Sequence, residues 1–323
     1  MNRIKYWNRI FKAYLLPTTS QLSFWHGIPE MNLIPDLDKP EPYYMKFHYK
    51  ANYNGHFDEQ GIPMLDYHGN IGLQYNPIAI AQYGLGNYNL YLENKNSEHL
   101  KKFFTATDWL VKNLKPNQKD VFVWHHYFDF EYRDTLKSPW YSGLAQGLGL
   151  SVLLRAFKES SKQVYLDAHQ RAWISMTKMI EDGGVIHIDK EGNYWIEEYI
   201  VSPPTHILNG FIWALWGVYD TWKLLDSSEA EDLFNKCCKT LELNLEKYDN
   251  GYWSLYEQSG TRMKMLASPF YHDLHIIQLK IMNLITKKSI FQQIAVKWGN
   301  YMHNPINRYR AIAYKSLFKL LYY

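Results

Sequence analysis

The sequence predicts a mainly α fold, an incomplete (α/α) barrel or toroid of about four helical hairpins with an N-terminal β-hairpin and short rim hairpins. Three observations carry this. Four segments of helical apolar spacing each follow a proline, at Pro77, Pro139, Pro203 and Pro269, stepping by 62, 64 and 66 residues. Each leads into a second helical pattern, near 97–114, 163–181, 229–247 and 289–302. Between the pairs lie short alternating runs with glycine turns, such as "IDKEGNYW" and "EKYDNGYW". Internal repetition on this scale outranks local propensity in deciding architecture.

Taken in order, "MNRIKYWNRIFKAYLL" at the N-terminus spaces Ile4, Trp7, Ile10, Phe11, Tyr14 and Leu15 as one face of a basic amphipathic helix. Its apolar face suits packing on its own domain, with contact to a membrane surface as the alternative. Residues 42–57 and 62–75 alternate around "DEQGIP" and predict a long β-hairpin. A division follows: residues 1–76, a helix and hairpin completing a cleft, and 77–323, the repeated helices. Proline is favoured in a first helical turn, where its missing N–H costs nothing, so each inner helix is expected to open at its proline. If the repeats stack in register, four inner-helix N-termini gather at one rim, where free N–H groups and helix dipoles favour an anion. Gln82, Gln146, Asn209, His272, His275 and Gln278 sit in the first turns of these helices and predict a polar-lined cleft. Shorter hairpins are expected at 185–199 and 251–257. The basic, aromatic tail "NPINRYRAIAYKSLFKLLYY" is expected to pack along the surface or at a subunit contact.

Composition narrows the function classes. Of the 323 residues 46% are hydrophobic and 21% charged, which fits a soluble globular chain. Aromatic residues reach 17%, with 27 Tyr and 12 Trp. Such an excess fits a cleft where rings stack on sugar faces, and equally a tyrosine-rich core. The net charge of +3 is mild and the Lys and Arg residues are scattered, arguing against nucleic acid as a partner. No apolar stretch reaches the ~20 residues of a membrane span. The two cysteines, Cys237 and Cys238, are adjacent in a helical pattern and build neither a disulfide framework nor a zinc site, so a reducing, cytoplasmic location is expected. The pairs His125–His126 and His272–His275 have no carboxylate at ligand spacing, and no metal is expected.

"YWIEEYIVSPPTHILNGF", residues 194–211, sets Glu197 beside Glu198 in an aromatic and apolar run. Adjacent carboxylates in a strand face opposite ways, so one can enter a cleft while the other pairs with a cation or caps a helix. Burial and like charge would raise the pKa of the enclosed one. A solvated turn is the plainer reading of the same residues.

"NPIAIAQYGL" (76–85), "PWYSGLAQG" (139–147), "EEY" with "LNGF" (197–199 and 208–211) and, more weakly, "FYHDLHIIQL" (270–279) resemble the D-glucuronyl C5-epimerase family, enzymes that convert glucuronate to iduronate within heparan-type polysaccharides. The resemblance spans most of the chain. It implies an α/α-barrel-type domain, an N-terminal hairpin completing the cleft, no redox cofactor, an acidic glucuronate-containing polysaccharide as partner, and a homodimer. The animal enzymes carry a β-barrel domain between the first two motifs, where this chain has about 55 residues, and a membrane anchor, so a compact microbial form is expected. Here Ile200 and Val201 separate the "EEY" from "SPP", Ser259 stands at a family arginine, and the gap from Tyr256 to Tyr271 is shortened.

Carried over residue by residue, the resemblance implies catalytic roles for Glu198, Tyr199, Tyr256 and Tyr271. Glu198 is the candidate base, and Tyr271, with His272 beside it, is the candidate opposite-face partner. A phenol serves as an acid near its usual pKa and as a base only beside a cation. In a chain with 27 tyrosines any single one is a core residue by default. Asn209 is expected on the substrate, although an asparagine at a helix start is also a common cap. Arg262 is the candidate carboxylate clamp, since a guanidinium fork suits bidentate contact, and a plain surface arginine fits it as well. Tyr75, Gln82 and Tyr83 are candidate subsite residues, and Trp140, Tyr141 and Gln146 candidate cleft lining; Gly143, Gly147 and Gly149 serve close helix packing. Two other readings remain: a uronate lyase, in which the same C5 carbanion expels the C4 substituent, and a noncatalytic glycan-binding protein.

Overall fold

The computed structural model describes residues 24–132 and 135–322; the N-terminal amphipathic pattern lies outside them. The protein is mainly helical. Four helical hairpins follow one another, α2 (Pro77–Asn94) with α3 (Ser97–Asn113), α4 (Gly143–Ser160) with α5 (Gln163–Thr177), α6 (Leu208–Leu225) with α7 (Ser228–Asn244), and α8 (Pro269–Thr286) with α9 (Ser289–His303). A short α1 (His48–Ala51) precedes them and α10 (Pro305–Tyr322) closes the chain. The first helix of each pair is 18 residues long and stops on a left-handed residue, Lys95, Ser161, Asp226 or Lys287. That shared ending makes the internal repeat visible in the backbone.

The first helices pack in series, α2 on α4, α4 on α6, α6 on α8, and each also packs on its own partner. Being covered on most sides, they are apolar nearly all round: every residue of α4 from Gly143 to Arg155 is buried. The second helices bury one stripe, in α9 Phe291, Ile294, Ala295 and Trp298. The α4–α6 crossing is close because both helices carry glycine there. A Cβ on Gly147 would stand 2.4 Å from the Ala214 Cα, and one on Gly217 2.2 Å from the Gly147 carbonyl oxygen.

Several expectations are corrected. Pro77 and Pro269 open their helices, whereas α4 starts at Gly143 and α6 at Leu208, leaving Pro139 and Pro203 in the preceding loops with cis peptide bonds. A serine cap sets the later start of α4, since the Ser142 side chain accepts from Ala145 N. The long 42–57/62–75 hairpin is much shorter: β1 (His56–Phe57), β2 (Pro63–Asp66) and β3 (Leu73–Gln74) form a small antiparallel sheet. Residues 43–51 instead press Tyr43, Tyr44 and Met45 into the core and then turn into α1. The rim hairpin at 185–199 is present as β9 (Ile186–Ile188) paired with β10 (Tyr194–Ile196). At 251–257 there are only single bridges, Asp249 to Ser254 and Leu255 to Leu266. An unanticipated sheet of β4 (Leu114–Pro116), β5 (Phe122–His126) and β8 (Trp140–Tyr141) fills the connection from α3 to α4. A two-stranded hairpin of β6 (Phe130–Glu131) and β7 (Thr135–Leu136) lies in the same connection. The tail is α10, which packs on α9 and sets Arg310 over the Tyr252 ring at 4.0 Å.

The segment before α1 is bound to the helices by buried polar contacts. The Arg155 guanidinium pairs with Asp220 at 2.6 Å and donates to the carbonyls of Pro40, Glu41 and Pro42. The Tyr44 hydroxyl donates to the other Asp220 oxygen, and the Asn89 amide brackets Tyr43 N and the Met45 carbonyl.

Candidate active site

A cavity of about 170 Å³ opens where the inner helices begin. Asn76 and Ile78 come from the start of α2, Leu144 from α4, Asn209 and Trp213 from α6, and Phe270 and Tyr271 from α8. Four helix N-termini therefore surround one space, giving it the positive end of four backbone dipoles. The remaining wall comes from Trp25, Lys50 and Tyr67 on one side and from Phe128, Phe130 and Trp140 on the other. Glu198 and Tyr199 enter from the loop after β10.

The two glutamates have different surroundings. Glu197 turns away from the cavity, where one oxygen takes the Nδ1 of His206 and the other accepts from His206 N at 3.1 Å. His206 is in turn stacked on Trp195 at 4.2 Å, and the Tyr248 hydroxyl donates to its carbonyl. Glu197 thus ties the loop to the rim hairpin. Glu198 stands on the cavity wall, 4% exposed. Its carboxyl accepts from the Tyr199 hydroxyl and lies 3.5 Å from the Asn209 amide nitrogen. Burial raises its pKa to about 8; the nearby Glu197 charge adds to this and the Tyr199 bond opposes it. Gly210 makes room for it, since a Cβ there would lie 2.0 Å from Glu198 Oε2.

Tyr199 is buried, and burial followed by the adjacent Glu198 pushes its phenol well above the usual tyrosine range. Its hydroxyl is a donor here, to Glu198. Tyr271 is half-buried in the first turn of α8, with its ring edge-on to Tyr256 at 5.0 Å. Tyr256 touches it through that ring contact and is absent from the cavity wall. Trp140 closes one end, stacked on His126 at 3.8 Å and donating its indole N–H to the Phe128 carbonyl.

Other candidates sit elsewhere. Gln146 is buried between strands and helices, accepting from Trp124 N at 2.9 Å and donating to Ser175 Oγ at 2.7 Å. Gln82 is wholly buried within α2, and Tyr83 packs on Phe57. Tyr75 is 36% exposed and donates to Asp58, its ring against Trp109. Tyr141 reaches the Gly184 carbonyl. His272 stacks on Trp253 and bonds Ser254 and the Trp298 carbonyl, and His275 reaches the same Ser254 hydroxyl. Gln278 donates to the Asn209 carbonyl at 2.9 Å. Arg262 lies exposed in the loop before α8, away from the cavity. The expectation of a cleft lined by first-turn amides and imidazoles is thereby corrected: Gln146, His272, His275 and Gln278 bond neighbouring backbone and hydroxyls, Gln82 is enclosed without a partner among the described residues, and of the six only Asn209 lines the cavity. Among the described residues, no three His, Cys, Asp or Glu side chains converge as a metal-binding set.

Sequence reasoning missed Lys50, Tyr67 and Asn76. Asn76 had a signal, an asparagine just before a helix-opening proline, and its side chain does cap α2 while its amide donates to the Tyr67 hydroxyl. Lys50 had none beyond being a cation in an aromatic run.

The family model for the D-glucuronyl C5-epimerase C-terminus matches residues 118–300, more than half of the chain. The chain belongs to that family. It is 30% identical over 230 residues to the D-glucuronyl C5-epimerase of Caenorhabditis elegans, a match covering 66% of this chain and 36% of that protein. The chain thus spans about a third of the worm enzyme. It is also 26% identical over 244 residues to an uncharacterized protein of Methanocaldococcus jannaschii, covering 71% of this chain and 78% of that one. Among solved structures, a Clostridium acetobutylicum glycoside hydrolase of family 105 superposes with a TM-score of 0.49 at 15% identity, over 71% of this chain and 63% of that one. The C5-epimerase family match contains Glu198, Tyr199, Asn209 and Tyr271 and begins beyond Lys50, Tyr67 and Asn76. Among the described residues no helix is long and apolar enough to cross a membrane.

Proposed function

We propose that this protein is a polysaccharide uronate C5-epimerase, converting D-glucuronate to L-iduronate in a heparosan-like glycan by two-base proton exchange. The observation that carries the reading is Glu198, a carboxyl enclosed in an aromatic cavity with its pKa moved to about 8, where it can both release and return a proton near neutral pH.

The C5 proton lies α to a carboxylate that is already negative, so stabilising the enediolate is the largest task. Glu198 takes the proton from one face, and the Tyr271 phenol returns one from the other. Asn209 donates to the oxygen that gains charge, and the Tyr199 hydroxyl holds the Glu198 carboxyl in place. The helix N-termini around the cavity supply a field of the right sign. In this reading residues 77–323 form an incomplete α/α toroid that carries the chemistry, and residues 1–76 complete the cleft. The chain works as a homodimer, for which the exposed Ile306, Tyr309 and Leu320 of α10 offer an apolar face.

The test is exchange in deuterated water. Incubation with heparosan is expected to place deuterium at C5 and produce iduronate without chain cleavage. An unsaturated uronate chromophore would instead identify a lyase. Glu198→Gln is expected to lower exchange by about 10²- to 10⁴-fold, and unchanged exchange in that variant would remove Glu198 from the chemistry.

A further inference from the structure

Lys50 is a cation on the cavity wall that the sequence motifs do not account for. Lys50 is 6% exposed and contributes to the same wall as Glu198 and Tyr271. Its ammonium has three donors, and one goes to the Phe24 carbonyl at 2.7 Å. Rings surround the rest, Phe24 at 4.4 Å, Trp25 at 5.3 Å and Phe47 at 5.8 Å. Among the described residues no carboxylate pairs with it, and no other lysine or arginine lines the cavity. Among the described residues, the other titratable groups around it are His26, which burial and then the Lys50 and Lys315 charges hold neutral, and Glu198 and the tyrosines of the wall.

A buried ammonium without an anion is costly, and an anion arriving beside it would offset that cost. The scaffold holds it rigidly. Phe47 starts α1 in the left-handed region and its carbonyl lies against Gly86 of α2, where a Cβ would approach to 2.5 Å. Asn89 and the Arg155–Asp220 pair fix the chain immediately upstream. Arg262, the sequence candidate for this task, is exposed and off the wall.

We infer that Lys50 receives the carboxylate of the sugar bound in the cavity and so makes the site selective for uronates over neutral sugars. The inference rests on the proposed reaction for the sugar's class, but it concerns binding, and the two can fail separately. The ammonium neutralises the carboxylate that C5 deprotonation would otherwise make doubly negative, so the same contact serves recognition and the reaction.

The test is calorimetric titration of the intact protein with a heparosan hexasaccharide and with its carboxyl-reduced counterpart, in which glucose replaces glucuronate. The wild type is expected to prefer the acidic form by about 10- to 100-fold, the scale of one hydrogen bond to a charged group. Lys50→Met is expected to bind both forms alike while keeping affinity for the neutral one, which also reports an intact cavity. Lys50→Gln, which can keep the Phe24 contact, is expected to behave the same and covers the case in which Met unfolds the chain. Glu198→Gln is expected to lose C5 exchange and keep the acidic preference. A wild type that binds neither oligosaccharide or does not distinguish them, or a Lys50→Met or Lys50→Gln variant that still prefers the acidic form, overturns the inference. Preference without C5 deuterium in the wild type overturns the epimerase reading alone.

Discussion

Glu198 costs the fold stability wherever its enclosed carboxyl must ionise. Its folded pKa of about 8 lies above the ordinary value of 4.5, so the fold favours the protonated form. That preference is fully kept below 4.5 and lost as pH rises through 8. Glu198→Gln is therefore expected to raise the melting temperature by a few °C at pH 8, and by less at pH 4, measured by calorimetry across pH. Lys50 has the opposite sign: burial brings its pKa from 10.5 to about 7. The fold favours neutral lysine, so its penalty is largest below 7, and Lys50→Met is expected to stabilise most there. The proposed reaction needs both groups charged. With Glu198 ionising near 8 and Lys50 losing charge near 7, kcat/KM against pH is expected to form a bell peaking between about 7 and 8. Lys50→Met is expected to lose the descending limb set by Lys50. Glu198 was legible because two adjacent glutamates in an aromatic run demand different surroundings. Lys50 was not, because its burial depends on Phe24, Trp25 and Phe47 closing around it. Gln146 and His272 misled for a related reason. A polar group in a first turn looks like a ligand contact until the strand or serine that needs it is seen in place.

Helices were read well and their edges less so. The repeat spacing found all four hairpins, and the second helices begin within a residue of their expected starts. Proline marked only two of the first helices correctly, because a proline stands as readily in the loop before a cap as in the first turn. Their C-terminal ends carried no glycine to mark them, since Lys95, Ser161, Asp226 and Lys287 adopt the left-handed region themselves. Lys95→Gly is expected to stabilise the protein by about 1 kcal/mol, the cost a Cβ carries in that region, as read by chemical denaturation. The short strands of the α3–α4 connection were invisible because two or three residues carry no readable alternation. At the α4–α6 crossing the expectation runs the other way. Gly147→Ala puts a methyl 2.4 Å from the Ala214 backbone and is expected to destabilise by about 1–3 kcal/mol. Gly210→Ala pushes on a carboxyl instead, and is expected to abolish exchange with a smaller loss of stability.

Across the molecule, the buried Arg155–Asp220 pair joins the segment before α1 to the helical body. Asp220→Asn leaves an enclosed guanidinium without its counter-charge and is expected to destabilise by about 3–5 kcal/mol. Limited proteolysis of that variant is expected to cut first near residues 30–45, ahead of any helix. A long hairpin was expected in this segment; the short helix α1, with Asn89 holding the chain just ahead of it, was not readable. Long-range contacts of this kind leave no local pattern.

Lys50 and Tyr271 share a wall although 220 residues of chain lie between them. Closing such a loop belongs to the last stages of folding, after each hairpin has formed from local contacts. During synthesis, then, a ribosome-bound chain that has released Glu198 still lacks α8 and so has no enclosed space to raise that carboxyl's pKa. Competence arrives only when the final hairpin docks, and an unfinished chain holds an ordinary, ionised glutamate.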